Sequence, residues 1–246
     1  MKTRQNAFLP DSKIWIGFVP YLVICVIHVW ARFTENPIDA PTKLMLMPLL
    51  IFAVVVAAAG VNKIHLATVV LLIAGIFFSW LGDGSHAFFP MFDDPLPMML
   101  LNFGIAHLLY MYVFWKSPGV GKSIIKGDGK KQFVSKWALA YVPVYIVLVW
   151  IIAPNAGALA VPVAIYALVL AGTAVLALRG GIITALGGFW FLVSDAILGF
   201  RIFLPEAMPG WTSGMVMLTY TLGQGLIAYG VMSRAREQAA NKSATG

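Results

Sequence analysis

Charged side chains are scarce in this chain. They make up 11% of its 246 residues, against 60% hydrophobic ones. So little charge excludes a soluble globular domain and implies an integral membrane protein. Cysteine is scarcer still: Cys25 stands alone, which excludes an internal disulfide and leaves the redox compartment open. The net charge is +7. The basic residues behind it lie in loops and tails beside apolar runs, where membrane orientation and anionic headgroups account for them, so no nucleic-acid partner is expected. Acids are the rarest charge, with ten in all. By hydropathy, all but Asp83 and Asp195 fall in loops, tails or segment ends.

Eight apolar runs are long enough to cross the hydrocarbon core as helices: 14–31, 42–60, 65–89, 96–115, 137–153, 159–178, 182–203 and 213–233. Their continuous apolarity excludes the alternating strands of a membrane barrel. The expected fold is therefore an all-α bundle of eight transmembrane helices forming one polytopic domain over 1–246. The first run follows Lys2, Arg4 and Lys13 as a signal peptide would, but it ends in Val29-Trp30-Ala31-Arg32 without a small-residue cleavage pattern and reads as the first span.

Alternate loops sort the basic residues. Lys2, Arg4, Lys13, Lys63, Lys116, Lys122, Lys126, Lys130, Lys131, Lys136, Arg179, Arg234, Arg236 and Lys242 fall on one side, leaving only Arg32, Lys43 and Arg201 on the other. By the positive-inside rule both termini are expected in the cytoplasm. A weak internal echo, Val19-Pro20-Tyr21 against Val142-Pro143-Val144-Tyr145, suggests two parallel repeats of four spans. The third and seventh spans would then carry the two aspartates at similar depth.

An acid in the hydrocarbon region costs roughly 2.5–3.5 kcal/mol on insertion scales, so it normally faces a bundle interior or wet cavity and marks a site. Residues three or four apart on a helix share a face. Ser79, Asp83 and His86 are so spaced, as are Phe103, His107 and Tyr110, and Tyr220 and Gln224. Helices three, four, seven and eight could thus enclose a polar pocket built from Asp83, His107, Tyr110, Asp195, Tyr220 and Gln224. Plainer roles compete: a span-embedded His107 can simply hydrogen-bond a neighbouring helix, Tyr110 and Tyr220 can pack with satisfied hydroxyls, and Lys43 and Arg201 can snorkel to headgroups. His28 and His65 read as interfacial, and Trp15, Trp30, Trp137, Trp150 and Trp211 as aromatic belts.

Thr42-Lys43, Ser79-x-x-Gly82-Asp83, Ala106-His107-x-x-Tyr110, Ser194-Asp195-x-x-Leu198 and Tyr220-x-x-x-Gln224 together resemble the YhhN family, the bacterial relatives of animal lysoplasmalogenases. The resemblance spans the second to eighth helices. It implies hydrolysis of the vinyl ether bond of lysoplasmalogens, with release of a fatty aldehyde and glycerophospho-ethanolamine or -choline. It implies Asp83 and Asp195 as the catalytic pair, no cofactor, lysophospholipid and bilayer lipids as partners, and a bacterial plasma membrane location. Two departures stand out: Leu44 follows Lys43 where the family usually has proline, and Gly84-Ser85-His86 replaces apolar residues after Asp83.

The chemistry suits two carboxyls. A vinyl ether accepts a proton at its β-carbon, the resulting oxocarbenium ion takes up water, and the hemiacetal collapses, so an acid and an anion are both needed. Two carboxyls sharing a water-poor site do not readily both ionise, which supplies one of each, as in glycosidases. The expected arrangement has Asp83 as donor, oriented by His107 and Tyr110, and Asp195 as the anion. Ser79, Ser194, Tyr220 and Gln224 support the pair, and Lys43, with Arg201, meets the phosphate. Two other readings use the same residues: a zinc-dependent lipid hydrolase with Asp83, His86, His107 and Asp195 as ligands, and a carrier of lipid or small solute without chemistry. No metal is expected on the first reading. The sequence leaves the oligomeric state open.

Overall fold

A computed structural model describes residues 14–59, 61, 64–116 and 136–244, with the side chains of 136 and 244 aside. Eight helices are long and apolar enough to cross a membrane, and the described residues contain no strand. In chain order the α-helices are α1 (Ile14–Phe33), α2 (Asp39–Ala58), α3 (Leu66–Asp83), α4 (Ser85–Phe88), a single turn that is not one of the eight, α5 (Leu96–Lys116), α6 (Tyr141–Ile152), α7 (Ala160–Ala177), α8 (Ile182–Phe203) and α9 (Thr212–Ala244). Short 3-10 turns extend α6 at both ends, Lys136–Ala140 and Ala153–Asn155. The chain is an all-α membrane bundle.

Three boundaries differ from the sequence reading. The third span stops at Asp83 instead of running on to residue 89, because Gly84 leaves helical geometry at ψ 17° and α4 follows as a separate turn. His86 is therefore not one turn beyond Asp83 on the same face. The second span begins at Asp39, where the Arg32 guanidinium pairs with the Asp39 carboxylate. The eighth continues past residue 233 to Ala244 because its polar extension still packs: Ala235 and Ala239 are buried, and Arg236 donates to the Ala57 carbonyl at 2.8 Å. Lys2, Arg4, Lys13, Lys63, Lys122, Lys126, Lys130 and Lys131, on which the charge asymmetry largely rests, lie outside the described residues.

Without a hydrophobic drive between lipid-bathed helices, close packing holds such a bundle, and small residues permit it. The tightest pair is α8 with α9. A Cβ at Gly223 would lie 2.8 Å from the Phe191 backbone nitrogen, and one at Gly187 would lie 2.7 Å from that of Ile227. Backbones meet there directly. On α3 the glycines instead receive rings from α5: Gly75 lies beneath Tyr110 and Gly82 beneath Phe103. Tyr21, Tyr110, Phe114, Phe191, Leu72 and Ile76 are among the fully buried side chains of the core these contacts produce. Trp15, Trp30, Trp137, Trp150 and Trp211 are all exposed on the outside of the bundle, as aromatic belts require.

Candidate active site

Asp83 and Asp195 line one cavity of about 150 Å³, together with Lys43, Ser194, Arg201 and Tyr220. That is room for on the order of ten waters. The cavity lies toward the end of the bundle that carries the α1–α2 and α8–α9 connections, where Arg32 and Ser213 also line it.

Around Asp83 every polar group points one way. Tyr220 donates to Asp83 Oδ2 at 2.6 Å, and Lys43 Nζ, reaching over from the start of α2, lies 3.7 Å from Oδ1. Behind them, Gln224 Nε2 donates to Ser79 Oγ at 2.9 Å and, at 3.4 Å, to the Tyr220 hydroxyl. Tyr110 donates to Gln224 Oε1 at 2.8 Å, and Ser79 hands its own proton to the Gly75 carbonyl at 3.1 Å. The glycine at 75 lets the Tyr110 ring lie flat enough to make this reach. The network is fully satisfied and buried, the condition under which a polar cluster stiffens a core instead of weakening it.

Asp195 has different neighbours. Tyr166 of α7 donates a short hydrogen bond to Asp195 Oδ2. His107 of α5 brings Nε2 to 3.7 Å from the same oxygen and 3.4 Å from the Tyr166 hydroxyl. The His107 ring rests on Phe191 with centroids 4.6 Å apart, and its Nδ1 has no partner among the described residues. Among the described residues nothing hydrogen-bonds Asp195 Oδ1. Beside this carboxyl opens a second hollow, an apolar slot of about 60 Å³ between α5, α6, α7 and α8, lined by Leu100, Phe103, Leu148, Ile152, Tyr166 and Phe203 among others. Asp195, Met99, Phe103 and Leu198 border both hollows. The slot and the polar cavity thus lie on either side of a shared wall that includes Asp195.

The cations at the mouth differ in freedom. Arg32 is tied to Asp39. Arg201 donates to the Pro209 carbonyl at 3.2 Å and to Thr212 Oγ1, pinning the α8–α9 connection while still lining the cavity. Lys43 keeps 36% of its side chain exposed. It is set in place by the residue before it: Thr42 Oγ1 lies 2.9 Å from His28 Nδ1 and donates to the Ile38 carbonyl at 2.6 Å. His28 is therefore buried between α1 and α2, not interfacial as its place in the sequence suggested. Thr42 supplies a partner for Nδ1, while Nε2 is buried without one among the described residues.

Of the residues expected at the site, Asp83, Asp195, Lys43, Ser194 and Tyr220 meet at the cavity wall. Ser79, Tyr110 and Gln224 form the layer behind Asp83. His107 stands behind Asp195, so the expectation that His107 and Tyr110 orient Asp83 is corrected: the first serves the other carboxyl, and the second reaches Asp83 only through Gln224 and Tyr220. Ser194 donates to the Val216 carbonyl at 3.1 Å. His86 is exposed and does not border the cavity, which removes one of the four zinc ligands considered. Among the described residues no three His, Cys, Asp or Glu side chains converge as a metal site would need.

Tyr166 was missed. Its signal was a phenol hydroxyl in a span whose one other polar side chain is Thr173, a group that needs a partner once buried. Searches among curated proteins and among solved structures give no match. A family model does match, over residues 38–231, a range that takes in every polar residue named around the two carboxyls except His28 and Arg32. By that match, the chain belongs to the YhhN family.

Proposed function

We propose that the protein hydrolyses the vinyl ether bond of lysoplasmalogens inside the membrane, with Asp83 and Asp195 as the acid and carboxylate pair. Membership of the YhhN family suggests a lysoplasmalogenase-like hydrolase. The observation that carries the finer reading is the meeting of two unlike hollows at one carboxyl, Asp195, which lines both a polar cavity bordered by Lys43, Arg32 and Arg201 and an apolar slot. An amphiphile with a phosphate head and a hydrocarbon chain fits that division. The phosphate pairs with Lys43 and Arg201, the chain enters the slot, and the ether linkage falls between them, beside both carboxyls. A slot of about 60 Å³ encloses only the first few carbons, and the remainder of the chain runs out along the helices into lipid.

The charge sorting supports a membrane orientation with both termini in the cytoplasm and the cavity toward the outer face. Lys116, Arg179, Arg234, Arg236 and Lys242 sit at the opposite end from Arg32, Lys43 and Arg201. The test is incubation of purified protein with alkenyl, alkyl and acyl lysophospholipids, following aldehyde and fatty acid. Aldehyde from the alkenyl lipid alone is the expected result. Fatty acid from the acyl lipid, or no product from any, would sink the proposal, and transport of intact lipid in proteoliposomes would then favour a carrier.

A further inference from the structure

We infer that the two carboxyls have fixed and unlike roles: Asp195 Oδ1 carries the proton given to the substrate, Asp83 stays ionised throughout, and Tyr166 is a positioning residue for the acid. This rests on the hydrolase reading and reverses the order of roles expected from sequence.

The hydrogen-bond directions decide it. Both oxygens of Asp83 already face donors, the Tyr220 hydroxyl at 2.6 Å on Oδ2 and the Lys43 ammonium 3.7 Å from Oδ1. A proton on Oδ1 would point at an ammonium that has only protons to offer, and a proton on Oδ2 would require the Tyr220 hydroxyl to turn from donor to acceptor while Gln224 Nε2 already donates to it. The layer behind reinforces the sense, since Gln224 can turn only its NH2 toward Tyr220 while its oxygen accepts from Tyr110. Such a carboxyl is built to be an anion, with a full positive charge beside it.

Among the described residues no Lys or Arg forms an ion pair with Asp195. Tyr166 and His107 both address Oδ2. Because Tyr166 gives its proton to Asp195, its oxygen is free to accept from His107 Nε2–H, a tautomer that leaves His107 Nδ1 as a bare acceptor instead of an unpaired buried N–H. The imidazole is then neutral. Oδ1 alone is left, without a donor among the described residues, on a side chain that lines both the cavity and the apolar slot. With an ionised Asp83 in the same cavity, a proton on Oδ1 avoids a second negative charge.

The placement suits the reaction. In a vinyl ether the carbon that takes the proton belongs to the hydrocarbon chain, and the oxygen belongs to the glycerol. The chain lies on the Asp195 side and the headgroup on the Lys43 side. The C=C π pair takes the proton from Asp195 Oδ1, and an oxygen lone pair makes the new C=O⁺ bond. Water then adds to the adjacent carbon and returns a proton to Asp195, restoring the acid. Collapse of the hemiacetal moves its hydroxyl proton to the departing glycerol oxygen and yields the aldehyde. Substrate and one water account for all atoms, and Asp83 balances the passing positive charge without changing its own protonation.

The roles separate in the full-length protein in detergent, with alkenyl lysophosphatidylethanolamine as substrate and its saturated alkyl counterpart as an unreactive ligand. Asp195→Ala and Asp83→Ala are each expected to lose about 10²- to 10⁴-fold in kcat, the usual worth of a positioned acid or base, while still binding the alkyl lipid, which shows that they fold. Added formic or acetic acid is expected to restore aldehyde release to Asp195→Ala, in proportion to the undissociated acid, and not to Asp83→Ala. Tyr166→Phe should lower kcat about tenfold with KM held. Wild type in D2O should place one deuterium on the aldehyde α-carbon with a single handedness, and Tyr166→Phe should blur that handedness, which a merely structural role would not do. Rescue of Asp83→Ala instead, or of neither variant, overturns the assignment while leaving the hydrolase reading intact. Absence of aldehyde from the wild type sinks the hydrolase reading itself.

Discussion

The first four spans and the last four place their aspartates by the same rule and then surround them with different chemistry. Asp83 lies on the third span and is met by Lys43 from the second span of its own half and by Tyr220 from the fourth span of the other. Asp195, on the third span of the second half, is met by Tyr166 from the second span of its own half and by His107 from the fourth span of the other. This exchange is what a parallel repeat with a pseudo-two-fold axis produces. The scaffold is shared, and the ligands are not: ammonium and phenol on one side, phenol and imidazole on the other. The first spans of the halves also diverge. In its most apolar window α1 is 44% buried, whereas the fifth span, built on α6, is 6% buried. Where α1 is packed into the bundle, α6 lies at its edge against α7 and α8 and borders the apolar slot. The two halves thus place alike one carboxyl beside an ammonium and one carboxyl beside an apolar slot.

The largest effect expected from breaking the comparison comes from removing the charge that distinguishes the halves. Lys43→Met leaves Asp83 with Tyr220 alone and should lower kcat for the alkenyl lipid about 10²-fold, or about 2.7 kcal/mol. Lys43→Arg, which keeps the charge, should keep most of the activity. Equal rates for Lys43→Met and wild type would mean that the ammonium does nothing for the anion.

Stability tests the scaffold next. Gly223→Ala drives a Cβ into the Phe191 backbone, which cannot yield unless α8 and α9 part, and overpacking of this kind costs about 1–3 kcal/mol. Gly82→Ala, at the corresponding α3–α5 contact, meets the Phe103 ring, which can turn away. Thermal unfolding in detergent should show the first variant clearly less stable than the second, and the reverse order would contradict the packing described for the two pairs.

The slot gives a smaller and more selective effect. A Cβ at Gly199 would lie 3.0 Å from Ile152 Cδ1, so Gly199→Phe fills the space between α6 and α8. KM for a long-chain alkenyl lysolipid should rise about tenfold, the worth of roughly two methylene groups kept from burial, with little change for a very short chain. An equal rise for both would move the hydrocarbon elsewhere.

Much of this was legible in the sequence because a membrane simplifies the physics. Burying a carboxylate in hydrocarbon is costly enough that Asp83 and Asp195 declared themselves against an apolar background, and eight apolar runs fixed the class of fold. What could not be read were features set by direction. Helix periodicity placed His86 on the Asp83 face, but Gly84 ends α3 between them. His107 and Tyr110 share a stripe, yet one turn of helix is enough to send the first to Asp195 and the second to Gln224. Tyr166 belongs to no motif, and only the fold shows that it occupies in one half the place that Lys43 occupies in the other.

The finest test of the comparison lies within the Asp83 side itself, between two tyrosines that look alike in sequence. Tyr220 donates directly to the carboxyl, whereas Tyr110, fully buried, donates to Gln224 two links away. Tyr220→Phe removes one of the two groups that hold Asp83 ionised and should cut kcat about tenfold. Tyr110→Phe removes a donor from Gln224 Oε1 and leaves that oxygen buried without a partner, a cost of about 1–3 kcal/mol to stability, but Gln224 can still donate to Ser79 and Tyr220. Its kcat should therefore stay within about twofold of wild type while its unfolding temperature falls. If Tyr110→Phe lost activity as steeply as Tyr220→Phe, the network would be transmitting charge along its length, and the division between the carboxyl's own ligands and the layer that props them would have to be redrawn.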